Sequence, residues 1–552
     1  MGVPALTLQM TMGEALRRIT RDRPHQEAVV CGPLRLTYKG LQERVDQATA
    51  AMAGMGVGKG DRVALRLPPG AAFVTLFFAA AERGAVVVPI DPMALPRRVA
   101  RVVEQISPRL VVTCEPLPPD VEGVLPEDTT VVVVEEERGA VLPSPTEGPA
   151  APTDVTPQDL LAILYTSGTT GTPKGVMHTH RSLIAPVAAS LKLRELWIRR
   201  PTLSHLPRMG RALARYGERL LRAAGCPQVF LSTVGFHTIT GVEVFLQALL
   251  MGDTLVIQPH FHPVEALELI QRERVTILVA VPTALAVMLR LKSFDEYDLS
   301  SLLICGTGSA PCPPELAREV QRRFGCALHI GFGATEIGGG IAATDLGDPE
   351  DRQAETVGRP MPGVEVRIVD DAGHPLPPGE VGELWVRTEG RMVGYWGAPD
   401  LTAQVVDEEG WYRTGDLAVM DEEGYLRIVG RKKDMIIRGG RNIYPEKIER
   451  HLMAHPAVRE AAVVGVPGGL GGEDVWAFVI PEEGADLTPR QVREHCRGVL
   501  EPYEIPQVVR VVEDFPRSST GKPQKFRLRE MALQEGRTHA KDHFRGVPTD
   551  HR

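Results

Sequence analysis

The sequence has few cysteines and no long apolar run, and these absences exclude several classes of protein. Its 552 residues include seven cysteines, an odd number without a CxxC pair, so we expect neither a disulfide framework nor a zinc site. The apolar run over residues 71–81 is followed directly by Glu82 and Arg83 and is far too short to cross a bilayer. Residues 1–24 lack the apolar core of a signal peptide. We therefore expect a soluble, cytoplasmic enzyme with reduced cysteines.

Excess positive charge is also missing. The chain has 62 Lys and Arg against 70 Asp and Glu, a formal net charge of −8, which predicts no nucleic-acid partner. Glycine and proline are present in surplus. The 55 glycines and 46 prolines are about 10% and 8% of the 552 residues, against averages of roughly 7% and 5%. Because this surplus has no collagen period, we place it in the turns and loops of a large folded protein.

The order of helical and strand patterns predicts an α/β fold. Residues 36–112 and 255–345 alternate helices with short apolar strands, which favours α/β layers with parallel strand pairing. Beyond Val364, short strands separated by turn sequences suggest a small β-rich subdomain. The last hundred residues return to a mixed α/β pattern.

A loop rich in glycine and threonine follows an apolar strand at residues 166–175, TSGTTGTPKG. Glycines allow backbone N–H groups to approach a ligand, and hydroxyls with one lysine suit a polyphosphate. The order differs from the Walker loop, so a P-loop NTPase fold is not indicated. The alternative, a flexible linker, does not explain a lysine placed behind a buried strand. The predicted phosphate-binding residues are Thr166, Ser167, Gly168, Thr169, Thr170, Gly171 and Lys174.

Residues 165–180, YTSGTTGTPKGVMHTH, are similar to the phosphate loop of the adenylate-forming superfamily. This superfamily contains acyl-CoA synthetases, peptide-synthetase adenylation domains and firefly-type luciferases. The resemblance covers residues 10–532, because further motifs follow in the family's order. It implies a large AMP-binding domain over 1–430, built from two α/β layered subdomains and a small β-rich one. A small, mobile α+β domain over 431–535 and a flexible tail over 536–552 would follow.

Two motifs resemble the family's adenine and metal sites. Residues 305–311, CGTGSAP, are similar to the glycine-rich turn that lies against adenine, and residues 331–336, GFGATE, to the aromatic-Gly-x-Thr-Glu motif. The ring of Phe332 can stack on a purine, Thr335 can bond a phosphate, and Glu336 can hold magnesium. A helix cap is the alternative for the Thr-Glu pair. The resemblance places Gly308, Ser309, Ala310, Phe332, Gly333 and Thr335 at the nucleotide, and Glu336 and Thr166 at magnesium.

Three motifs nearer the C-terminus continue the resemblance. GWYRTGD ends on Asp416, a carboxylate able to accept hydrogen bonds from both ribose hydroxyls. GRKKD places Arg431 on the nucleotide and Lys433 at the hinge about which the small domain rotates. PRSSTGK ends on Lys522, which would neutralise charge developing between the acyl carboxylate and the α-phosphate. The alternative is that Lys522 belongs to the solvated face of a basic helix.

The stretch IRGGRNIYP resembles the loop that lines the pantetheine tunnel. Its paired glycines, Gly439 and Gly440, suit the close passage of a narrow thiol arm along the backbone. The resemblance thus implies coenzyme A as the second substrate, with ATP and magnesium in the first step. Many relatives have Glu where this chain has Arg441.

Residues 230–241 indicate which kind of carboxylic acid is the substrate. In peptide-synthetase adenylation domains an Asp after a Phe pairs with the substrate's amino group, whereas this chain has His237 after Phe236. An α-amino acid is therefore not expected, and the stretch resembles the acyl-CoA synthetase version, with Gly235 in place of the usual Pro. His237 is a candidate catalytic residue, and a buried structural histidine is the alternative. We predict a medium- or long-chain fatty acid, although a branched or aromatic acid would use the same groups.

The motifs together imply a reaction, and an arginine-rich segment stands apart from them. The function implied is an AMP-forming carboxylic acid–CoA ligase, with two alternatives: an acyl-AMP ligase that loads a carrier protein, and a non-catalytic nucleotide and acyl sensor. Residues 193–222 carry eight arginines against two acids, and a basic helix there could rest on an anionic membrane. A surface helix packed on its own domain is the favoured alternative. A homodimer is a further open expectation.

Overall fold

The computed structural model describes most of the chain, and its residues divide into two compact units. The described residues are 6–134, 142, 153–166, 173–198, 206–224, 226–438, 441–468, 472–517 and 521–544. The first unit consists of Met1–Val366, Trp385–Arg413 and Glu423–Leu426. The second unit consists of Arg367–Leu384, Thr414–Glu422 and Arg427–Arg552. The predicted boundary at residue 430 and the mobility of the small domain stay predictions.

Strands and helices alternate along the chain as the sequence predicts. The strands are β1 Glu27–Cys31, β2 Leu34–Thr37, β3 Arg62–Arg66, β4 Val86–Pro89, β5 Leu110–Thr113, β6 Thr130–Val133, β7 Leu160–Thr166, β8 Lys174–Thr179, β9 Val229–Ser232, β10 Thr254–Ile257, β11 Ile277–Val279, β12 Ile304–Thr307, β13 Ala327–Ala334, β14 Gly339–Ala343, β15 Arg359–Pro360, β16 Val364–Val369, β17 Gly382–Thr388, β18 Gly394–Tyr395, β19 Tyr412–Met420, β20 Leu426–Arg431, β21 Ile436–Arg438, β22 Arg441–Ile443, β23 Val458–Pro467, β24 Glu473–Pro481 and β25 Val508–Val511. The helices are α1 Met12–Asp22, α2 Tyr38–Gly54, α3 Ala71–Arg83, α4 Pro96–Ile106, α5 Pro119–Glu122, α6 His180–Ile198, α7 Leu206–Ala224, α8 Ile239–Leu250, α9 Pro263–Arg272, α10 Pro282–Leu289, α11 Pro314–Phe324, α12 Glu350–Glu355, α13 Pro399–Val405, α14 Pro445–Met453, α15 Pro489–Cys496 and α16 Lys525–Phe544.

Two large sheets form the frame of the first unit. One has the order β15-β14-β13-β12-β11-β9-β10-β1-β2 and the other β18-β8-β7-β4-β3-β5-β6. The inner pairs of both sheets are parallel, and antiparallel pairs occur towards the edges. Smaller sheets have the orders β16-β17-β19-β20, β21-β22 and β23-β24-β25. The prediction of an α/β fold with parallel pairing is confirmed.

Helix α3 explains how the core of the first unit is built. Its sequence, AAFVTLFFAAAER, is apolar on every side, and its residues from Ala71 to Ala81 are all buried, as expected for a helix without a polar face. Phe77 packs edge-on against Phe245 of α8, with ring centroids 5.1 Å apart. Phe73 packs against Phe236 at 5.4 Å. This aromatic cluster fixes α8 and the residue that precedes His237.

Helix α7 contains most of the arginine-rich segment and packs on its own unit. Tyr216 is buried with strand residues of the first sheet, and Arg211 donates to the carbonyl oxygen of Gly347 at 2.8 Å. Ala212 is buried, whereas Leu213 beside it is 43% exposed. This arrangement agrees with the surface-helix interpretation. Among the described residues, no helix combines the length and apolar character needed to cross a membrane.

Candidate functional site

The predicted site motifs of the first unit follow the carboxyl ends of neighbouring parallel strands. Strands β9, β11, β12 and β13 are adjacent and parallel, so their carboxyl ends lie at one edge of the sheet. Open α/β sheets bind ligands outside this edge. His237 follows β9, Gly308 follows β12 directly, and Glu336 lies in a short 3-10 turn, Thr335–Ile337, after β13. The fold therefore brings the acid, adenine and metal motifs to the same edge.

Glu336 is held by a tyrosine that the sequence analysis missed. The hydroxyl of Tyr395, in β18, donates to Oε1 of Glu336 at 2.9 Å. Tyr395 pairs with Val176 of β8, so it joins a strand of the second sheet to the turn that follows β13. Burial raises the pKa of Tyr395, and the Glu336 charge and hydrogen bond raise it further, so the phenol remains a donor.

The lysine of the phosphate loop lies beside the same tyrosine. Lys174 Nζ is 5.2 Å from the centroid of the Tyr395 ring, within the range of a cation–π contact. Thr166 is the cross-strand partner of Lys174 in the β7–β8 pair, so the two ends of the predicted loop are held together. Ser167, Gly168, Thr169, Thr170 and Gly171 lie outside the described residues. Lys174 and Glu336 thus contact the same tyrosine, Lys174 at its ring and Glu336 at its hydroxyl.

We expect Tyr395→Phe to lower the rate of acyl-adenylate formation by about 10-fold, since hydrogen bonds to charged groups contribute about 1.5–3 kcal/mol. The ring and its contact with Lys174 would remain, so only the orientation of Glu336 should change. The measurement is pyrophosphate release at saturating ATP, across a range of magnesium concentrations. Tyr425→Phe is the control, because its hydroxyl also donates to a carboxylate, Oδ1 of Asp348, at 2.7 Å, and lies outside the predicted site motifs. An unaltered rate in Tyr395→Phe would contradict the positioning role.

His178 fixes the other side of the same turn. Its Nε2 lies 2.7 Å from the carbonyl oxygen of Thr335, to which it donates, and its Nδ1 lies 3.0 Å from Oγ of Ser182. The side chain is fully buried, and burial lowers its pKa to about 4 despite the bond to Thr335. His178 is therefore a neutral support of the Thr335–Glu336 backbone.

The same burial predicts a loss of stability in acid. His178 and His180 both have a pKa lowered from 6.5 to about 4, so between these values the unfolded chain binds more protons. The free energy of unfolding should fall as pH drops from 6.5 to 4, by about 1.4 kcal/mol per pH unit for each group. Urea unfolding over this range is the measurement.

The variant His178→Gln keeps a donor for Thr335 and should make that fall shallower. His260→Gln, at an exposed position, should leave it unchanged. A profile equally steep in His178→Gln and in the parent protein would contradict the assignment.

The predicted adenine turn depends on close backbone contacts. A Cβ atom at Gly308 would lie 2.7 Å from the carbonyl oxygen of Gly331, and one at Gly333 would collide with the carbonyl oxygen of Gly339. Ser309 has a positive φ of 63° and its Oγ is 2.8 Å from Oγ1 of Thr240 in α8. The turn is thereby tied to α8, and Ala310 follows in the same loop.

The ring of Phe332 lies on β13 opposite Ala342. The register shifts between Phe332 and Gly333, directly before Thr335 and Glu336. Such an irregularity re-aims the side chains that follow it. The stacking of the Phe332 ring on adenine stays a prediction.

His237 has an unpartnered buried atom. Its Nε2 makes no hydrogen bond within the described part of the chain and lies 3.8 Å from Oδ2 of Asp91. Burial lowers the pKa of His237, whereas Asp91 opposes that effect. Nε2 can therefore still form a hydrogen bond with a ligand, which is compatible with the predicted contact with the acid. A Cβ at Gly235 would lie 2.6 Å from Cε1 of His237, so the usual Pro would displace this ring.

In the second unit, three predicted site residues come together. Arg431 Nε lies 2.7 Å from Oδ1 of Asp416, a buried carboxylate whose backbone N–H donates to Thr414. The surrounding protein and the Arg431 charge lower the pKa of Lys522, and Asp416 opposes them. Lys522 thus interacts electrostatically with both Arg431 and Asp416. Because a carboxylate has about four acceptor positions, Asp416 can bind both Arg431 and hydroxyls.

The segment around Lys522 is anchored on both sides. Arg517 forms an isolated bridge with Pro523 and an ion pair with Glu460 at 2.9 Å. Helix α16 begins at Lys525, whose Nζ lies 2.9 Å from Glu449. Residues 518–520 lie outside the described part of the chain. Lys522 is therefore part of an anchored turn before α16 and not of the helix itself, and it is exposed. Its catalytic role stays a prediction.

The remaining predicted residues of the second unit are only partly described. Lys433 lies in a short 3-10 turn, Lys432–Asp434, directly after β20, and its hinge role stays a prediction. Gly439 and Gly440 lie outside the described residues. Arg441 stacks on Tyr503, with its guanidinium carbon 4.6 Å from the ring centroid. That contact gives a structural reason for Arg441 that the sequence did not offer.

Comparison with known proteins matches both parts of the chain to one family. The family model "AMP-binding enzyme" matches residues 16–396, and the model "AMP-binding enzyme C-terminal domain" matches residues 447–522. The mitochondrial medium-chain acyl-CoA ligase ACSF2 of Homo sapiens is 32% identical over 563 residues, which cover 94% of this chain and 87% of the relative. The putative acyl–CoA ligase YdaB of Bacillus subtilis is 33% identical over 528 residues, 93% of this chain and 98% of the relative.

Solved structures give the same result. The anthranilate CoA ligase AuaEII in complex with anthranoyl-AMP aligns with a TM-score of 0.82 at 27% identity, covering 97% of this chain and all of that one. ATP-bound MatB from Rhodopseudomonas palustris aligns with a TM-score of 0.80 at 28% identity, covering 95% of this chain and 99% of that one.

Proposed function

The chain belongs to the AMP-binding enzyme family, and from this premise we propose that it is an AMP-forming carboxylic acid–CoA ligase. The observation that supports this function best is the placement of Glu336, which is bonded to Tyr395 beside Lys174. A carboxylate that could hold a metal, beside a cation that could hold phosphate, would suit the binding of ATP.

The donor set fits magnesium bound together with ATP. Magnesium in nucleotide sites takes one or two carboxylates, with phosphate oxygens and waters filling its other positions. Glu336 would supply the carboxylate of such a partial set, and Thr166 a hydroxyl. The described part of the chain contains no group of three or more His, Cys, Asp or Glu that could hold a metal without other ligands. When bound, magnesium would neutralise phosphate charge.

The first step joins the acid to AMP. A carboxylate oxygen attacks the α-phosphorus of ATP, the bond to the bridging oxygen of the β-phosphate breaks, and pyrophosphate leaves. Lys174 and the loop over 166–175 would hold the leaving phosphates, while Asp416 orients the ribose. Lys522 would stabilise the charge that develops on the reacting oxygens.

The second step transfers the acyl group. The thiolate of coenzyme A attacks the acyl carbon, the bond to the phosphate oxygen breaks, and AMP leaves with that oxygen. Because Lys522 serves the first step, and Gly439 and Gly440 are proposed to line the thiol path, the rotation about Lys433 would separate the two steps.

The acid is proposed to be a medium- or long-chain fatty acid. His237, rather than an Asp, stands at the position that binds an amino group in peptide synthetases, and its free Nε2 can bind an acyl oxygen. The relative in Homo sapiens is named a medium-chain acyl-CoA ligase, which supports the shorter chains. A cytoplasmic location, a homodimer and membrane contact by 193–222 stay predictions.

The experiment incubates the protein with ATP, magnesium, coenzyme A and a panel of carboxylic acids, and identifies products by mass. A CoA thioester supports the proposal. Acyl-AMP without thioester would favour the ligase that loads a carrier protein. No product from any acid would favour the sensor.

A further inference from the structure

Helix α8 presents a polar face that the proposed mechanism does not use. Thr240, Glu243 and Gln247 recur at the spacing of one helix face and keep some exposure, whereas Val242 and Val244 beside them are buried. Thr240 bonds the adenine turn through Ser309. Glu243, three residues or about 4.5 Å further along the axis, lies against the backbone of β14, the strand that begins three residues after Glu336.

The side chain of Glu243 is half-buried, and its carboxyl has no basic partner among the described residues. Oε1 accepts from the Gln247 amide at 3.0 Å, and the backbone N–H of Gly340 also donates to the carboxyl. Within the described residues it forms no ion pair. Burial raises the pKa of Glu243 to about 7, although these two hydrogen bonds oppose the shift.

A charged group at this position costs stability that a neutral side chain with the same hydrogen bonds would avoid. A half-buried carboxylate lacking a cation is unfavourable, and a glutamine could accept from Gly340 and, with the amide of Gln247 turned over, keep the other bond. Carboxyls with a perturbed pKa and no basic partner are typical of functional positions.

The neighbouring strand leaves room for this carboxyl. Gly339 has a φ of 138°, and a Cβ there would lie 2.5 Å from Oε2 of Glu243. Gly340 follows it, so two consecutive glycines form the wall opposite the helix. Since a carboxylate has about four acceptor positions and two donors are present, Glu243 can accept from a ligand as well.

We propose that Glu243 determines substrate specificity by accepting a hydrogen bond from a hydroxyl or amino group on the acyl chain of the acid. This inference rests on the proposed function. The polar face begins beside His237, is bonded to the adenine turn, and lies against the strand that follows Glu336, so an acyl group joined to AMP at this edge extends along it. The enzyme therefore prefers donor-bearing acids to plain alkyl acids of the same length.

The test compares octanoic acid with its hydroxy and amino derivatives, substituted at successive carbons. We measure kcat/KM from pyrophosphate release for the parent protein, Glu243→Gln and Glu243→Leu. The kcat/KM of the best donor-bearing acid should exceed that of octanoic acid by about 10-fold. This ratio corresponds to about 1.4 kcal/mol, the contribution of one hydrogen bond. In Glu243→Leu the two acids should differ by less than about 2-fold, with Glu243→Gln between. The hydroxy and amino series show which donor is preferred.

Glu268→Gln is the matched control, because Glu268 is an exposed carboxylate on the adjacent helix α9; it should keep the parent preference. Equal use of plain and donor-bearing acids by the parent protein would overturn this inference and leave the ligase function standing. No pyrophosphate from any acid would overturn both.

Thermal unfolding at pH 8 separates specificity from a structural role. The unfolding midpoint of Glu243→Gln should equal that of the parent protein or exceed it by about 2 °C, because a costly charge is removed. A lower midpoint together with an unchanged acid preference would assign Glu243 a structural role and overturn the proposal.

Discussion

Lys522→Ala should lower the rate of pyrophosphate release from ATP and acid by about 10²–10³-fold, the range seen when a group stabilising developing charge is removed. The reason is that the carboxylate and the α-phosphate repel each other until a cation lies between them. Affinity for ATP should change little, because Arg431 and Asp416, which are paired at 2.7 Å, remain. Stopped-time assays of pyrophosphate with a separate nucleotide-binding titration measure both quantities.

The matched control for this variant is Arg527→Ala. Arg527 is an exposed cation in the first turn of α16, so its loss removes one positive charge from the same region without touching the anchored turn. The control should retain the parent rate. Full turnover in Lys522→Ala would remove Lys522 from the first step. Equal losses in both variants would indicate a general charge effect.

Glu336→Gln should lower acyl-adenylate formation by about 10²-fold, because an amide carries no charge for a divalent cation. The hydrogen bond from Tyr395 would survive, since the amide oxygen accepts as the carboxylate does. The rate should recover in part as magnesium is raised, which distinguishes weaker metal binding from misfolding. The measurement is a magnesium titration of pyrophosphate release.

Glu389→Gln provides the comparison for this charge removal. Glu389 is 56% exposed and pairs with Arg181, so its change alters the surface of the same unit. Its magnesium dependence should match that of the parent protein. A parent-like titration in Glu336→Gln would exclude this carboxylate as a metal ligand.

The sequence predicts the fold class and the grouping of the first-unit motifs because both follow from local patterns. Apolar strands such as β12 and β13 are legible as short runs, and motifs at their carboxyl ends must meet at one sheet edge. The glycines at 308 and 333 are likewise explained by a backbone that passes too close for a Cβ. These are properties of short stretches with known pairing rules.

What sequence reasoning missed depends on contacts between distant segments. No pattern near Tyr395 shows that its strand pairs with β8 or that its hydroxyl reaches Glu336. In α7 the larger apolar side chain, Leu213, is 43% exposed, whereas the small Ala212 beside it is buried. Glu243 looks like a surface carboxylate in an apolar helix until its neighbours Gly339 and Gly340 are known. Tertiary packing decides each of these cases.

The most direct test of the central claim follows the oxygen atoms of the acid. The protein is incubated with a carboxylic acid labelled with oxygen-18 in its carboxylate, together with ATP, magnesium and coenzyme A, and the products are weighed by mass spectrometry. An AMP-forming acid–CoA ligase must deliver one labelled oxygen to AMP, because that oxygen attacks the α-phosphorus and stays there when the thiol displaces it. We predict labelled AMP in amounts equal to the acyl-CoA formed. Unlabelled AMP, or label in inorganic phosphate beside ADP, would contradict the account.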